Sequence, residues 1–429
     1  MFFTEVGVAL NRLDDHAPYA GEAAVQDARR LARNLSGARV LHISSTPYGG
    51  GVAELLHTIV PLMRDAGLDA RWYVIDGAPG RFFEVTKKIH NALQGMEDGL
   101  TSEEWALYEE VNRSLVAGFP GGPWDFVVIH DPQPLQMGAL VRDSISSGVD
   151  EGGAQSAKWF WRCHIDMSTP LASTWELLHP WVNRYDGAIV TSRDYAGEEI
   201  RVPVAEITPS IDPTSPKNLL VDPGRAREVL SAFSVDPDRP LLVQVSRFDP
   251  WKDPFGVIDA YRIVKAEYPD VQLALVGSIA LDDPEGVRLL DDLKGAAGGD
   301  PDVRVLSNQD GVHAAEVAAF QQKADVVIQK SVREGFGLTI TEGMWKARPV
   351  VAGQATGCRL QIEDGRNGYL IASTEECAAR IVQILSRPDV GESLGREARE
   401  TVRRRFLSTT HLARYLSLFA QGPMREPKV

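Results

Sequence analysis

Short apolar runs recur along the chain, each stopping at a Gly, Ser, His or Asp and giving way to helical spacing: Arg39–Ile43, Phe126–Ile129, Leu241–Val245, Leu273–Val276 and Asp325–Ile328. A strand covered on both faces needs an unbroken apolar run, and a parallel neighbour needs a crossover long enough to hold a helix. The alternation therefore specifies βαβ units, an α/β fold and two doubly wound sheets. At 429 residues the chain exceeds what one hydrophobic core serves, so two domains are expected. The segment Ile207-Thr-Pro-Ser-Ile-Asp-Pro-Thr-Ser-Pro216, with three prolines, reads as the linker, dividing the chain into 1–206 and 207–404. The Arg-rich helical pattern from Arg396 to Ala420 comes too late to start another βα unit. A helix over about 405–429 can pack back on the first domain.

The net charge of −14 repels polyanions, and without a Lys/Arg stripe nucleic acid is excluded as a partner. A small anion is not excluded, because exposed charges are screened over about 8 Å and a local basic pair can dominate a cleft. Cys163, Cys358 and Cys377 are odd in number and widely spaced, which argues for a reducing compartment. The opening MFFTEVGVALNRL has no basic leader and carries Glu5, so it does not read as a signal peptide. No apolar run approaches the roughly 18 residues of a membrane helix. A cytoplasmic protein without a membrane partner is expected, and a homodimer is compatible with the sequence.

The first strand runs into Ser44-Ser-Thr-Pro-Tyr-Gly-Gly-Gly-Val-Ala-Glu54 and then an amphipathic helix. Glycines at such a turn let the backbone approach a ligand while the helix start attracts anions. The spacings G-x-G-x-x-G and G-x-x-x-x-G-K are absent, and the loop reads equally as phosphate-facing or as a tight structural turn. Beyond Val243-Gln-Val245, Arg247 and Lys252 lie past a strand's carboxyl end, where open α/β sheets bind ligands. They can grip a phosphate through charge-assisted bonds, or simply pair with Asp249 and Asp253 in solvent.

In Ser331-Val-Arg-Glu334-Gly-Phe-Gly-Leu-Thr-Ile-Thr-Glu342, Gly335, Phe336 and Gly337 open a loop, and a helix from Leu338 to Lys346 offers a second anion-friendly start. Glu334 and Glu342 stand eight residues apart, placed to accept hydrogen bonds from sugar and ribose hydroxyls; a solvated helix face is the alternative for Glu342. His130, in Ile129-His-Asp-Pro-Gln133, and His164, in Arg162-Cys-His-Ile-Asp166, end apolar runs, where an imidazole can bond a sugar hydroxyl or move a proton near pH 7. A satisfied structural histidine is the other reading. A Cys163/His164/Asp166 metal site lacks a tetrahedral ligand set, so no metal is assigned.

Taken together, Gly49-Gly50-Gly51, His164, Arg247 with Lys252, and Glu334 with Glu342 resemble the retaining glycosyltransferases of the glycogen-synthase-like superfamily, whose GT-B fold sets two Rossmann-like domains facing a deep cleft. Ser45–Leu56, Val85–Gly95, His130–Gln133 and Arg333–Glu342 look, more narrowly, like the trehalose glycosyltransferring synthases, and the likeness covers nearly the whole chain. The resemblance implies an acceptor-side first domain and a donor-binding second domain. Arg247 and Lys252 would neutralise the departing diphosphate with backbone N–H groups of Gly50 and Gly51, while Glu342 would hold the ribose. Glu334 and the Gly335–Leu338 backbone would hold the donor glucose, and His164 its 6-hydroxyl. His130, Asp131, Gln133 and Glu54 would line the acceptor side. The implied reaction makes α,α-trehalose reversibly, with retention, from nucleoside-diphosphate glucose and glucose, without cofactor or essential metal. Thr356-Gly-Cys358 departs from the pattern, since relatives more often carry two glycines there.

A retaining trehalose phosphorylase, using phosphate in place of nucleotide, shares this architecture. A non-catalytic nucleotide-sugar-binding protein is a rival from another class, opposed by the complete His164/Arg247/Lys252 set. A dehydrogenase would need the G-x-G-x-x-G turn that is missing. The base of the nucleotide leaves no residue signature.

Overall fold

The computed structural model describes residues 2–48, 50–146, 157–279 and 284–421. The chain divides into two compact units, one formed by Met1–Pro209 with Ser408–Val429 and the other by Ser210–Leu407. The crossings fall just beyond the expected boundaries at 206 and 404, and hydrogen bonds explain why. Ile207 N–H still donates to Val190 O at 2.9 Å within the first unit, whereas Ile211 N–H donates to Phe406 O at 2.9 Å within the second.

In the first unit the strands are β1 (Phe2–Glu5), β2 (Arg39–Ser44), β3 (Asp69–Asp76), β4 (Phe126–His130), β5 (Lys158–Arg162), β6 (Gly187–Val190) and β7 (Val204–Glu206). They form a sheet in the order β1-β3-β2-β4-β5-β6-β7, with β1 antiparallel to β3 and the other pairs parallel. Alternating side chains supply two cores. Leu41, Ile43, Val127, Ile129, Trp159 and Trp161 face one way. Val40, Phe126, Val128 and Phe160 face the other, against Leu412, Tyr415, Leu416 and Phe419. Those four belong to the helix Ser408–Gln421, where Phe419 stacks on Phe126 at 4.3 Å. The single C-terminal helix expected from the sequence is thus two. Pro388–Arg405 belongs to the second unit and ends at Phe406; Ser408–Gln421 packs on the first, and residues 422–429 lie outside the described residues.

The second unit contains β8 (Leu241–Val245), β9 (Gln272–Gly277), β10 (Val303–Ser307), β11 (Val326–Gln329), β12 (Val350–Gly353) and β13 (Tyr369–Ile371), all parallel in the order β10-β9-β8-β11-β12-β13. β8, β11 and β12 are buried along their whole length, as parallel strands under helices on both faces require. In each sheet the winding reverses once, between β2 and β4 in the first and between β8 and β11 in the second. Loops leaving the carboxyl ends at a reversal diverge and open a crevice. The glycine loop after β2, His130 at the end of β4, the Arg247–Lys252 loop after β8 and the Glu334–Glu342 segment after β11 all leave such reversals, while His164 follows the neighbouring strand β5.

Candidate active site

In the second unit, the loop after β8 is built from its own polar side chains. Asp249 caps the turn Pro250–Lys252 by accepting from Trp251 N–H at 2.9 Å, and buried Gln244 donates to Lys252 O at 2.8 Å. This turn aims the Lys252 ammonium at Glu334, Nζ to Oε2 2.6 Å, with the two side chains only 14% and 10% exposed. Ser331 Oγ–H adds a bond to the same carboxylate at 3.3 Å. Asp253 pairs with Lys330 instead of Lys252 and caps the helix Pro254–Glu267. Arg247 is different: its guanidinium is 62% exposed and 3.6 Å from Asp249, a solvated pair that an anion can displace at little cost. The solvated-pair reading therefore fits Arg247 and fails for Lys252.

The glycine loop between β11 and the helix Leu338–Trp345 is shaped by a residue that sequence reasoning missed. Gln361 is buried, and its amide donates to the carbonyls of Phe336, Gly337 and Gly357, the last two at 3.2 Å, while its Oε1 accepts from Thr341 Oγ1–H at 2.6 Å. In a trans peptide C=O and N–H point opposite ways, so drawing the carbonyls of Phe336 and Gly337 inward turns the N–H groups of Gly337 and Leu338 outward, toward where an anion would sit. Gly337 takes φ 84°, which favours glycine. Gly357 donates to Glu334 O at 3.0 Å, and a Cβ there would come within 2.6 Å of that oxygen and of Phe336 N. The departure at Thr356-Gly-Cys358 thus keeps the glycine the contact needs, and Cys358 is buried with its thiol pKa pushed up by desolvation.

Glu342 is fully buried, so it is no solvated helix face, and its carboxylate is held by side chains of the same unit. Lys217 Nζ lies 2.6 Å from its Oε1, and Gln321 Nε2 donates to Oε2 at 3.2 Å. Lys346 joins the cluster through Gln321 Oε1 and Lys217 O, both at 2.9 Å, and burial lowers its pKa to about 8. A lone carboxylate in the otherwise uncharged helix Leu338–Trp345 was a signal of burial with a distant partner.

In the first unit the stem of the glycine loop after β2 is pinned. Thr46 Oγ1–H donates to Tyr48 O at 2.9 Å, and His57 Nε2–H donates to Pro47 O at 3.0 Å with its ring edge-on to Trp72 at 4.9 Å. Gly49 lies outside the described residues; Gly50 and Gly51 are exposed at the start of the helix Gly51–Asp65, and Glu54 is exposed in its first turn. Adjacent strands then line up three imidazoles, with His42 Nδ1 3.0 Å from His130 Nε2 and His130 Nδ1 3.0 Å from His164 Nε2. Asp131, at φ 63°, accepts from His164 N–H at 2.8 Å, and burial pushes its acid up to about 6. Gln133 keeps a buried Oε1 with no partner among the described residues. His130, Asp131 and His164 are therefore brought together.

Burial lowers His42 to about 3 and holds His130, His164 and His411 well below the usual histidine range. Arg162, buried and bonded to Val190 O at 3.1 Å and Ile207 O at 2.6 Å, adds a fixed positive charge that opposes imidazolium. The expected proton shift near pH 7 is corrected accordingly: these rings are neutral hydrogen-bonding groups. His130, His164, His411 and Tyr415, with Leu55, Leu56 and Ile59, bound a cavity of about 10 Å³, room for about one water. Cys163 is buried against Met167, Sγ to Sδ 3.5 Å, and among the described residues no three His, Cys, Asp or Glu side chains are grouped as a metal requires. No helix of the described residues is long and apolar enough to cross a membrane.

The family described as trehalose synthase, N-terminal domain, matches residues 42–197, and glycosyl transferases group 1 matches residues 227–401. A trehalose synthase of Rubrobacter xylanophilus is 50% identical over 398 residues, covering 92% of this chain and 93% of the relative. One of Pyrococcus horikoshii is 44% identical, covering 95% of each. A trehalose phosphorylase of Grifola frondosa is 26% identical, with 92% of this chain matched to 58% of it. Among solved structures, Anabaena HepE in complex with UDP and glucose superimposes with a TM-score of 0.62 at 16% identity, over 90% of this chain and 100% of that one.

Proposed function

Because the chain belongs to the trehalose synthases, a family of GT-B glycosyltransferases, we propose that it moves glucose from a nucleoside diphosphate onto the anomeric hydroxyl of free glucose, making α,α-trehalose reversibly and with retention. The observation that carries the donor half of this reading is the Lys252–Glu334 pair beside displaceable Arg247 and the outward N–H groups of the glycine loop, all at the winding reversal of one sheet. Preorganised charge of this kind stabilises a leaving diphosphate without reorganising when the bond breaks. Arg247 and Lys252 would take the diphosphate, joined by backbone N–H groups of Gly50 and Gly51. Glu334 and the Gly335–Leu338 backbone would hold the glucosyl ring, and Glu342 would reach the ribose by exchanging Lys217 for its hydroxyls. On the acceptor side, neutral His164 would bond the donor 6-hydroxyl, with His130, Asp131, Gln133 and Glu54 around the second glucose. The departing phosphate would take the acceptor's proton in a front-face attack. Since Arg, Lys and helix starts supply positive charge at the diphosphate, no essential metal or cofactor is proposed.

The test is incubation of the purified protein with trehalose plus ADP, UDP or GDP, and separately with trehalose plus phosphate. Nucleoside-diphosphate glucose as product supports the proposal and names the base. Glucose 1-phosphate formed only with phosphate replaces it with the phosphorylase reaction, and no product in any tube overturns it in favour of a binding protein or another acceptor.

A further inference from the structure

We propose that the three-imidazole chain fixes which ring nitrogen of His164 carries its proton, and that whether the side chain at position 42 accepts from His130 decides which. The rings are neutral, so each has one N–H and one bare nitrogen. His130 spends both of its nitrogens inside the chain, at 3.0 Å to His42 and 3.0 Å to His164. Each contact needs one donor and one acceptor, which leaves two arrangements. Either all three protons sit on Nδ1, so that His42 donates to His130 and His130 to His164, or all three sit on Nε2 and the donation runs backwards.

The ends of the chain separate the two. His42 Nε2 is buried and has no hydrogen-bond partner among the described residues. The Tyr415 ring meets the His42 ring edge-on at 6.0 Å and supplies no hydrogen bond to that atom. The reversed arrangement would put an N–H on that atom, an orphaned buried donor of the kind folded proteins avoid. The forward arrangement leaves only a bare lone pair there. Forward polarity makes His164 Nε2 an acceptor inside the protein and its Nδ1–H a fixed donor. If the proposed reaction holds, that donor meets a sugar hydroxyl oxygen, which favours groups able to accept; the polarity itself does not depend on that reading.

The test is a long-range ¹H–¹⁵N correlation spectrum of the full chain labelled with ¹⁵N-histidine and free of substrate, the His164 signals being identified by their loss in His164→Gln. The wild type should show His164 protonated at Nδ1 in about 85% or more of molecules, the population that an orphaned-donor penalty of at least about fivefold implies. His42→Leu, which neither accepts nor donates, should keep that tautomer. His42→Met, whose thioether only accepts, should draw the His130 proton to Nε2 and move the His164 proton to Nε2. Packing loss alone would affect these two variants alike. A wild-type His164 protonated at Nε2 overturns the proposal even if neither variant folds, as does one tautomer shared by folded Leu and Met variants. Turnover of trehalose with nucleoside diphosphate is scored separately, so failure of the proposed reaction leaves this result intact.

Discussion

Replacing Gln361 by Glu keeps the side chain's shape and reverses its chemistry. The buried amide supplies two N–H protons shared among the carbonyls of Phe336, Gly337 and Gly357. A carboxylate supplies none and faces those oxygens with negative charge. Two lost donors, at about 1–3 kcal/mol for each buried group left unsatisfied, give a destabilisation of about 2–6 kcal/mol, while the bond from Thr341 survives. For a unit of this size that lowers the melting temperature by about 4–24 °C. The sign with pH is also set. Burial raises the introduced acid's folded pKa above its unfolded value, so the defect is smallest below the unfolded pKa, where a protonated carboxyl can still donate one bond, and grows as pH rises through the folded pKa. Calorimetric melting of Gln361→Glu and Gln361→Met between pH 4.5 and 8 measures this, alongside nucleoside-diphosphate affinity. The Glu variant's deficit should widen with pH and the Met variant's should stay flat, both with weaker nucleotide binding. Deficits below about 0.5 kcal/mol, the scale of an ordinary surface substitution, would refute the role given to Gln361.

Arg247→Ala should leave melting unchanged while cutting transfer by about 10²-fold or more, whereas Lys252→Ala should do both kinds of damage, losing about 2–3 kcal/mol because Glu334 is left nearly buried without its cation; urea unfolding and initial rates separate the two. Asp131→Asn tolerates the left-handed backbone and still accepts from His164 N–H. Because the native acid is raised to about 6 from 3.8, the stability it contributes below about pH 4 fades as pH rises through 6, and the variant should lack that slope in unfolding curves from pH 4 to 7. Gly357→Ala must push its Cβ against backbone 2.6 Å away, and should abolish transfer with clear thermal destabilisation; a variant with normal rates would show that the glycine loop adapts.

The strands legible in the sequence were those buried on both faces, such as Phe126–Ile129 and Leu241–Val245, because burial alone dictates an apolar run. Phe2–Glu5, at the sheet edge and mostly exposed, carries no such run, and β3 alternates buried and exposed residues. Gly335 and Gly337 beside Glu334 marked the loop after β11, and the charged run Arg247–Asp253 marked the loop after β8. Partnerships were invisible. Lys217 meets Glu342 across 125 positions, and His42 looks like a stray polar residue until β4 and β5 bring His130 and His164 alongside. Gln361 lies in a polar stretch, Arg359–Arg366, that reads as surface loop, yet it is buried. Composition records how polar a segment is but not which of its members turn inward.

The route of the chain through its two units also sets an order of assembly. Ser210–Leu407 is one uninterrupted stretch, so the second unit has all of its residues before the first does. The first unit waits for Leu412, Tyr415, Leu416 and Phe419, which are synthesised after the whole of the second unit, to cover one face of its sheet. During synthesis the earlier-begun unit is therefore the later to mature, with Val40, Phe126, Val128 and Phe160 lacking that cover meanwhile and open to chaperones or to aggregation.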